Sequence, residues 1–387
     1  MRASLITAPL VAALVGYGST IALVLSAAAA VGASAAQTAS WIFAICLVKA
    51  AAGAWLSWRF RIPAVIAWST PGAALVAASQ GVSMAEAAGA FLLAAGLTIA
   101  AGAIRPLERA VAAIPEGIAG AMLAGVLLPF CLSLAGAMAA IPAVVGPMAA
   151  VFALVRLASP PLAVLGALAC GGGVAFVTGA AQAPGLPRAP PALTFVAPAF
   201  RPEVLIGLGL PLWLVTMASQ NLPGFATLRA HGYEAPVGPA LVATGAASAA
   251  GALAGAHPVS MAAITAAICM GPDTHSDPGQ RWKAGIVYAG WWVLLGLFGP
   301  VIMALIGALP GPVVAAAVAL ALLGPFTGAA TGAFAAPATR FPAAVTLAVT
   351  AAGVAFLGVG AAFWGLMAGL GLGGVGRLRP RPAGRRA

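Results

Sequence analysis

Ile62-Pro63-Ala64-Val65-Ile66-Ala67-Trp68-Ser69, followed by Thr70-Pro71-Gly72 and then Ala73-Ala74-Leu75, decides how this chain is built. The first eight residues are β-branched and extended in character. Thr70 before Pro71 then reads as a helix start, with Thr70 as N-cap and Pro71 at the first helical position, where its missing N–H costs nothing. That start falls about halfway through an apolar run of membrane-crossing length. A second interruption lies at His257-Pro258, after Gly251-Ala252-Leu253-Ala254-Gly255-Ala256 and before the helix-compatible Val259 to Met270. Irregular backbone at membrane depth is tolerated only where protein or a polar cavity covers it. Two half-helices starting near the midplane aim their N-terminal ends, each about half a positive charge, at one cavity suited to an anion. A pair of ordinary proline-kinked helices is the plainer alternative.

Composition makes lipid the only solvent that fits. The 387 residues are 62% hydrophobic and 6% charged, with a mean hydropathy of +1.07. A water-soluble domain needs about a quarter of its residues charged. The formal charge of +11 does not point to nucleic acid. Arg377, Arg379, Arg381, Arg385 and Arg386 form a tail after the last apolar run, an ordinary cytoplasmic flank beside anionic lipid, and no nucleic-acid-binding module accompanies it. Cys46, Cys131, Cys170 and Cys269 sit inside apolar runs, with neither metal-ligand spacing nor a disulfide framework. The apolar run from Leu5 reads as a first span rather than a cleaved leader, because the segments after it are just as apolar.

Apolar runs between charged or Pro/Gly-rich breaks give about 14 spans, each near the 20 residues a bilayer requires. They are 7–29, 38–58, 63–80, 85–104, 117–138, 140–157 and 161–180, then 203–226, 237–254, 256–270, 284–307, 312–330, 338–356 and 359–375. The expectation is an all-α polytopic membrane protein, with a seven-span repeat over 1–180 and a second over 203–375. An external Pro-rich loop, 181–202, joins them, and a basic tail, 376–387, ends the chain. With a cytoplasmic N-terminus, Arg2, Arg59, Arg61, Arg105, Arg109, Arg156, Arg229, Arg281, Lys283, Arg340 and the tail all fall inside. Only Arg188 and Arg201 fall outside, and Lys49 lies within a span. That segregation supports the span map and puts both termini in the cytoplasm. Two halves with an odd number of spans must face opposite ways, the condition for an inverted-topology repeat.

The acids are Glu86, Glu108, Glu116, Glu203, Glu234, Asp273 and Asp277, and the span map puts every one at a membrane edge or in a loop. An absence of carboxylates at depth favours an anionic cargo and removes the usual proton carrier. His257, at the break of the tenth span, is the best ionisable group left there. Its imidazole can gain a proton in the physiological range, and the charge would attract a carboxylate, coupling the two by linkage. A neutral His capping the half-helix is the alternative. In the eighth span Thr216, Met217, Ala218, Ser219, Gln220 and Asn221 put polar side chains where they are costly unless satisfied. They suit either a carboxylate or interhelical hydrogen bonding. Gly16-Tyr17-Gly18-Ser19-Thr20 is the counterpart in the first span, with Tyr17 a candidate pocket wall or helix anchor. Trp68 can stack on an aromatic ring, a contact worth about 1 kcal/mol beyond burial, or fill core space. Lys49 lies about 15 Å from the cytoplasmic end of its span at helical rise and is expected to snorkel or find a local partner. Gly271 to Asp277 offers ligand atom types without a compact set, so it reads as a solvated loop, and neither a metal nor a cofactor is expected. No catalytic constellation points to an enzyme.

Five segments together resemble one family, the benzoate:proton symporters of the BenE type. They are AWSTPGAAL (Ala67 to Leu75), LVTMASQNLPG (Leu214 to Gly224), AAITAAIC (Ala262 to Cys269), GQRWKAGI (Gly279 to Ile286) and AAFWGL (Ala361 to Leu366), in order over nearly the whole chain. The resemblance implies uptake of benzoate with protons across a bacterial inner membrane. It also implies the seven-plus-seven fold of nucleobase permeases such as the uracil:proton symporters. There, short strands lead into half-helices in the third and tenth spans and flank the substrate. By that likeness spans 1–4 and 8–11 form a core, spans 5–7 and 12–14 a gate, moving as an elevator. The acidic substrate residue of the uracil type falls at His257, and its eighth-span glutamate near Ser219 and Gln220. Losing both acids fits an anionic cargo. The implied site places the ring among Trp68, Tyr17 and Met217. The carboxylate faces the half-helix starts, Ser69, Thr70, Gln220, Asn221 and Ser260, with Ser219 beside them and His257 taking the proton. Lys49 has no place in the family pattern, and whether the protein forms a homodimer stays open.

Overall fold

The computed structural model describes residues 3–104, 115–185, 187, 190–262 and 264–378. Arg2, Arg105, Glu108, Arg109, Arg188 and the tail from 379 onward lie outside the described residues. The chain opens with α1 (Ser4–Ala30) and α2 (Ala35–Phe60), the latter closed at its start by a capping box of Ser34 and Gln37. Strand β1 (Ile66–Trp68) leads into the short α3 (Thr70–Ala77), and α4 (Met84–Ala103) follows behind a second capping box, Ser83 with Glu86. Then come α5 (Glu116–Ala140), α6 (Pro142–Ala158) and α7 (Ala163–Val177). Past the irregular 178–201, α8 runs Pro202–Ala230 with two π-helical stretches, Leu205–Gly209 and Met217–Asn221. α9 (Val237–Ala252), strand β2 (Val259–Met261) and the short α10 (Ile264–Met270) mirror the earlier helix, strand, half-helix order. α11 (Trp282–Leu297) bends by 55° into Gly299–Gly307, where Pro300 has no amide to continue the ladder. The chain closes with α12 (Gly311–Ala335), α13 (Arg340–Ala351) and α14 (Ala361–Leu378).

Among the described residues, seven helices are long and apolar enough to cross a membrane, and the bent α11 makes an eighth. The seven are α1, α2, α4, α5, α7 with its leading turn, α8 and α12. The helix expected over 338–356 stops at Ala351, because Gly353 and then Leu357 and Gly358 take positive φ and fold the chain into a tight turn bridged between Phe356 and Val359.

The strands pair antiparallel, with Ile66 opposite Met261, Ala67 opposite Ser260 and Trp68 opposite Val259. Ser69 N–H donates to the Pro258 carbonyl at 3.0 Å and Ala262 N–H to the Val65 carbonyl at 2.9 Å, which extends the ladder at both ends. Both strands are buried, so every amide there must find a partner inside the protein. Two neighbouring serines supply partners that the two-stranded ladder lacks. Ala64 N–H donates to Ser57 Oγ of α2, and Val259 N–H donates to Ser248 Oγ of α9.

Packing partners recur between the halves. α2 lies on α11 and α4 on α9; α1 touches α3 and α10, while α8 touches α10 and α3. α6 pairs with α7 and α13 with α14; α5 meets α13 and α12 meets α6; α5 and α12 pack on each other. A separate hydrophobic cluster joins Ala137, Met148, Phe152, Ala167 and Val313, from α5, α6, α7 and α12. The irregular segment before α8 ties several helix ends to one rim. Thr194 N–H donates to Ser40 Oγ, Val196 N–H to the Leu253 carbonyl and Ala199 N–H to the Ala85 carbonyl.

Candidate functional site

Ser69, not Thr70, caps α3: its Oγ accepts the Gly72 N–H at 3.1 Å, and Thr70 is already helical. The displacement by one residue follows from the ladder, which holds Ser69 in the extended conformation required of an N-cap. The tenth-span break also differs from its expected form. His257-Pro258 does not start a helix; Val259–Met261 is strand, and α10 begins at Ile264. Pairing with β1 overrides the local helix signal there. Ser69 Oγ further shares a 2.7 Å hydrogen bond with Thr216 Oγ1, joining α3 to α8. Gly72 permits this approach, since a Cβ there would stand 2.6 Å from Leu212.

The eighth-span polar residues are spent largely inside the protein. Asn221 Oδ1 accepts the Met261 N–H at 3.0 Å, and its Nδ2 donates to Met217 sulfur at 3.3 Å. Ser219 Oγ donates to the Val215 carbonyl one turn back. Gln220 is half-buried. Gly224 allows α8 to reach β2, because a Cβ there would meet Met261 Cβ at 2.5 Å. Ser260, opposite Ala67 in the ladder, is fully buried with its hydroxyl unpartnered.

His257 is fully buried, and its Nδ1 accepts the Trp41 indole N–H at 2.9 Å. The indole is only a donor, so Nδ1 is an acceptor and the neutral ring carries its proton on Nε2. Nε2 faces the Ser69 backbone without closing a hydrogen bond. Trp41 was not singled out in the sequence; only the fold brings it to His257.

Tyr17 and Trp68 meet as the sequence suggests, with ring centres 5.5 Å apart, and Trp68 Nε1 donates to Thr20 Oγ1 at 2.7 Å. Trp292 and Tyr288 of α11 complete the group. Trp292 lies 4.9 Å from Trp68 and 5.7 Å from Tyr17, and Tyr288 lies 5.9 Å from Trp292. Lys49 does not snorkel. It is 1% exposed, with Nζ 3.0 Å from the centre of the Trp292 ring and 5.2 and 5.6 Å from those of Trp68 and Tyr288. Lys49 Nζ, Tyr17 OH, Tyr288 OH and Trp292 Nε1 are all buried without a hydrogen-bond partner. A signal for this group was present in the Trp291-Trp292 pair of an apolar run, but the pair has no periodicity that ties it to Lys49.

Buried polar side chains among the described residues include Lys49, His257 and Arg281 but no Asp or Glu. Arg281 is accounted for: Nε donates to the His275 carbonyl and Nη1 to the Met270 carbonyl, at the C-terminal end of α10. The one ion pair among the described residues, Arg201 with Glu86 at 3.1 Å, sits at the rim. An apolar cavity of about 430 Å³ opens between α1, α7 and α11, lined by Tyr17, Ile21, Leu165, Phe176 and Ile302 among others.

Comparison with known proteins agrees with this geometry. The chain is 38% identical over 359 residues to the inner membrane protein YdcO of Escherichia coli, covering 92% of each. It is 36% identical over 360 residues to the benzoate membrane transport protein of Acinetobacter baylyi, covering 93% of this chain and 91% of that one. The fold is similar to the transmembrane domain of the cyanobacterial bicarbonate transporter BicA, with a TM-score of 0.57, 14% identity, and coverage of 96% and 98%. It is also similar to the murine anion transporter Slc26a9 in its inward-facing state, with a TM-score of 0.62 and 12% identity over 96% of this chain and 68% of that one. Another SLC26A9 structure matches with a TM-score of 0.64 and 14% identity, the chain spanning 65% of its length. The family profile described as benzoate membrane transport protein matches residues 1–375. This chain therefore belongs to the BenE family of benzoate membrane transport proteins, a family of transporters and not of enzymes.

Proposed function

We propose that the protein imports benzoate or a closely similar aromatic carboxylate across a bacterial inner membrane, together with protons. The observation that carries this reading is the presence of buried bases without a buried carboxylate. Around the strand pair the described residues place two buried bases, Lys49 and His257, and no buried carboxylate. A buried base without an acid is a site waiting for an anion. The aromatic faces of Tyr17, Trp68 and Trp292 suit a ring attached to it.

The candidate site lies where β1 and β2 pair, with Tyr17, Trp68, Ser69, Thr70, Met217, Ser219, Gln220, Asn221, His257 and Ser260 on the elements around it. Proton coupling needs a buried base that charges as the anion arrives, and His257 and Lys49 are the two available. The exchange of packing partners between the halves supports fourteen crossings in an inverted seven-plus-seven repeat, and the segregation of basic residues supports cytoplasmic termini. The separate cluster of α5, α6, α7 and α12 supports a gate that moves against a core of α1–α4 and α8–α11.

Purified protein in proteoliposomes tests this reading. With an acidic exterior, labelled benzoate should accumulate above its external concentration. A protonophore should abolish accumulation, and excess uracil or sulfate should leave it unchanged. Flux that merely equilibrates, indifferent to the pH gradient, would contradict the reading and favour a passive anion channel.

A further inference from the structure

Several amides at the α3 start and along β2 are already bonded within the protein. Gly72 N–H is already bonded to Ser69 Oγ, and the Val259, Met261 and Ala262 amides to Ser248, Asn221 and Val65. Beside the strands, Ser260 Oγ and His257 Nε2 are unpartnered, and a larger unsatisfied group lies one layer away, on α1, α2 and α11. Lys49 Nζ, Tyr17 OH, Tyr288 OH and Trp292 Nε1 share one aromatic cluster, and each is buried without a partner. A buried amine with no carboxylate partner, ringed by hydroxyl and indole N–H groups able to donate, fits an anion with several lone pairs.

We infer that Lys49 is the counter-cation of the transported carboxylate, and that the proton moved with the substrate resides on Lys49. The inference rests on the reading of the protein as a carrier of aromatic carboxylates and names the residue that recognises them. An ammonium buried without an anion is costly, and aromatic faces offset only part of that cost. Empty, the site therefore holds a neutral amine against the Trp292 face. The carboxylate and one proton then enter together: the proton adds to the Lys49 amine lone pair, the ammonium pairs with the carboxylate, and the loaded site is neutral overall. Release reverses both steps. The titratable groups around Lys49 are Tyr17 on α1, Cys46 one turn away on α2, Tyr288 on α11 with Cys269 of α10 behind it, and His257 before β2. None is a carboxylate, so among the described residues no acid competes with the cargo for the ammonium. Tyr17 also lines the 430 Å³ apolar cavity, which gives the ring a place beside the charged cluster. His257, held by Trp41, positions the strand rather than carrying the proton.

Calorimetry of the purified full-length chain with benzoate, run in two buffers of different ionisation enthalpy, reads affinity and proton uptake together. The wild type should take up about one proton per benzoate bound. Lys49→Met should bind benzoate about thirtyfold more weakly or worse, as expected when one partner of a buried ion pair is truncated. It should take up no proton, should bind the uncharged benzamide better than the wild type does, and should melt no lower. Lys49→Met that binds benzoate as the wild type does, with the same proton uptake, overturns the inference and leaves the carrier reading standing. Should that variant fail to fold, the wild-type count decides, and binding without proton uptake overturns it. A wild type that binds acetate or chloride through Lys49 but ignores benzoate would remove the aromatic reading and keep the anion site. Binding of none of the three would overturn both.

Discussion

Lys49 Nζ stands 3.0 Å from the centre of the Trp292 ring, on a different helix and 243 positions later in the chain. A lysine at this depth ordinarily reaches for an edge or an acid. Here it has neither, and the ring face is its nearest electrostatic support. The substrate completes the site, which gives the protein a reason to keep a costly residue where it is.

Trp292→Leu removes that face. The empty protein should melt lower, since the buried ring fills core space and its loss leaves a cavity. Saturating benzoate should raise the melting temperature less in Trp292→Leu and Trp292→Phe than in the wild type, because both variants lack the buried indole N–H available to the carboxylate. Thermal melts in detergent with and without benzoate measure both.

Asn221 separates structural from electrostatic roles. Asn221→Leu strands the Met261 N–H and should destabilise the protein by about 1–3 kcal/mol. Asn221→Asp keeps the acceptor but adds a carboxylate beside the strand pair. That variant should fold, and its benzoate uptake should fall at least as far as that of Asn221→Leu. Melting temperatures and initial uptake rates distinguish the two.

His257→Gln offers the Trp41 indole an amide oxygen in place of Nδ1. Benzoate accumulation driven by a pH gradient should stay within about threefold of wild type, the range of one neutral hydrogen bond. Loss of the proton dependence, with uptake otherwise intact, would return the proton to His257.

Gly18 of α1 faces Leu165 of α7, and a Cβ there would run into the leucine side chain. If core and gate slide past each other, Gly18→Val disfavours the arrangement described here relative to one in which α1 and α7 are apart. Uptake should slow severalfold while benzoate affinity measured in detergent changes little. Combining it with Leu165→Ala should restore the rate.

Much of this architecture could be read from local signals. The Ser69-Thr70-Pro71 break lay where expected to within one residue, because capping and proline chemistry are local. At the His257-Pro258 break the local residues suggest helix, while the family resemblance implies the short strand that the structure has. Whether Val259–Met261 is strand or helix depends on β1, nearly 200 residues earlier, and not on its own propensity. Tyr17 and Trp68 were recognised singly and do meet. The role of Lys49 was not legible, since its surroundings come from α1, β1 and α11 and no spacing in the sequence joins them. The eighth-span polar residues suit either a carboxylate or bonding within the protein, and Asn221 does the second by accepting the Met261 amide. A buried polar residue announces that it needs a partner without saying whether that partner is backbone or cargo.

The most direct test of the account is an experimental structure of the full-length chain with benzoate bound. The carboxylate should lie within hydrogen-bonding distance of Lys49 Nζ, with Tyr17, Tyr288 or Trp292 donating to it and the ring against an aromatic face. Benzoate seated elsewhere, with Lys49 still packed on Trp292 and unpaired, would contradict it.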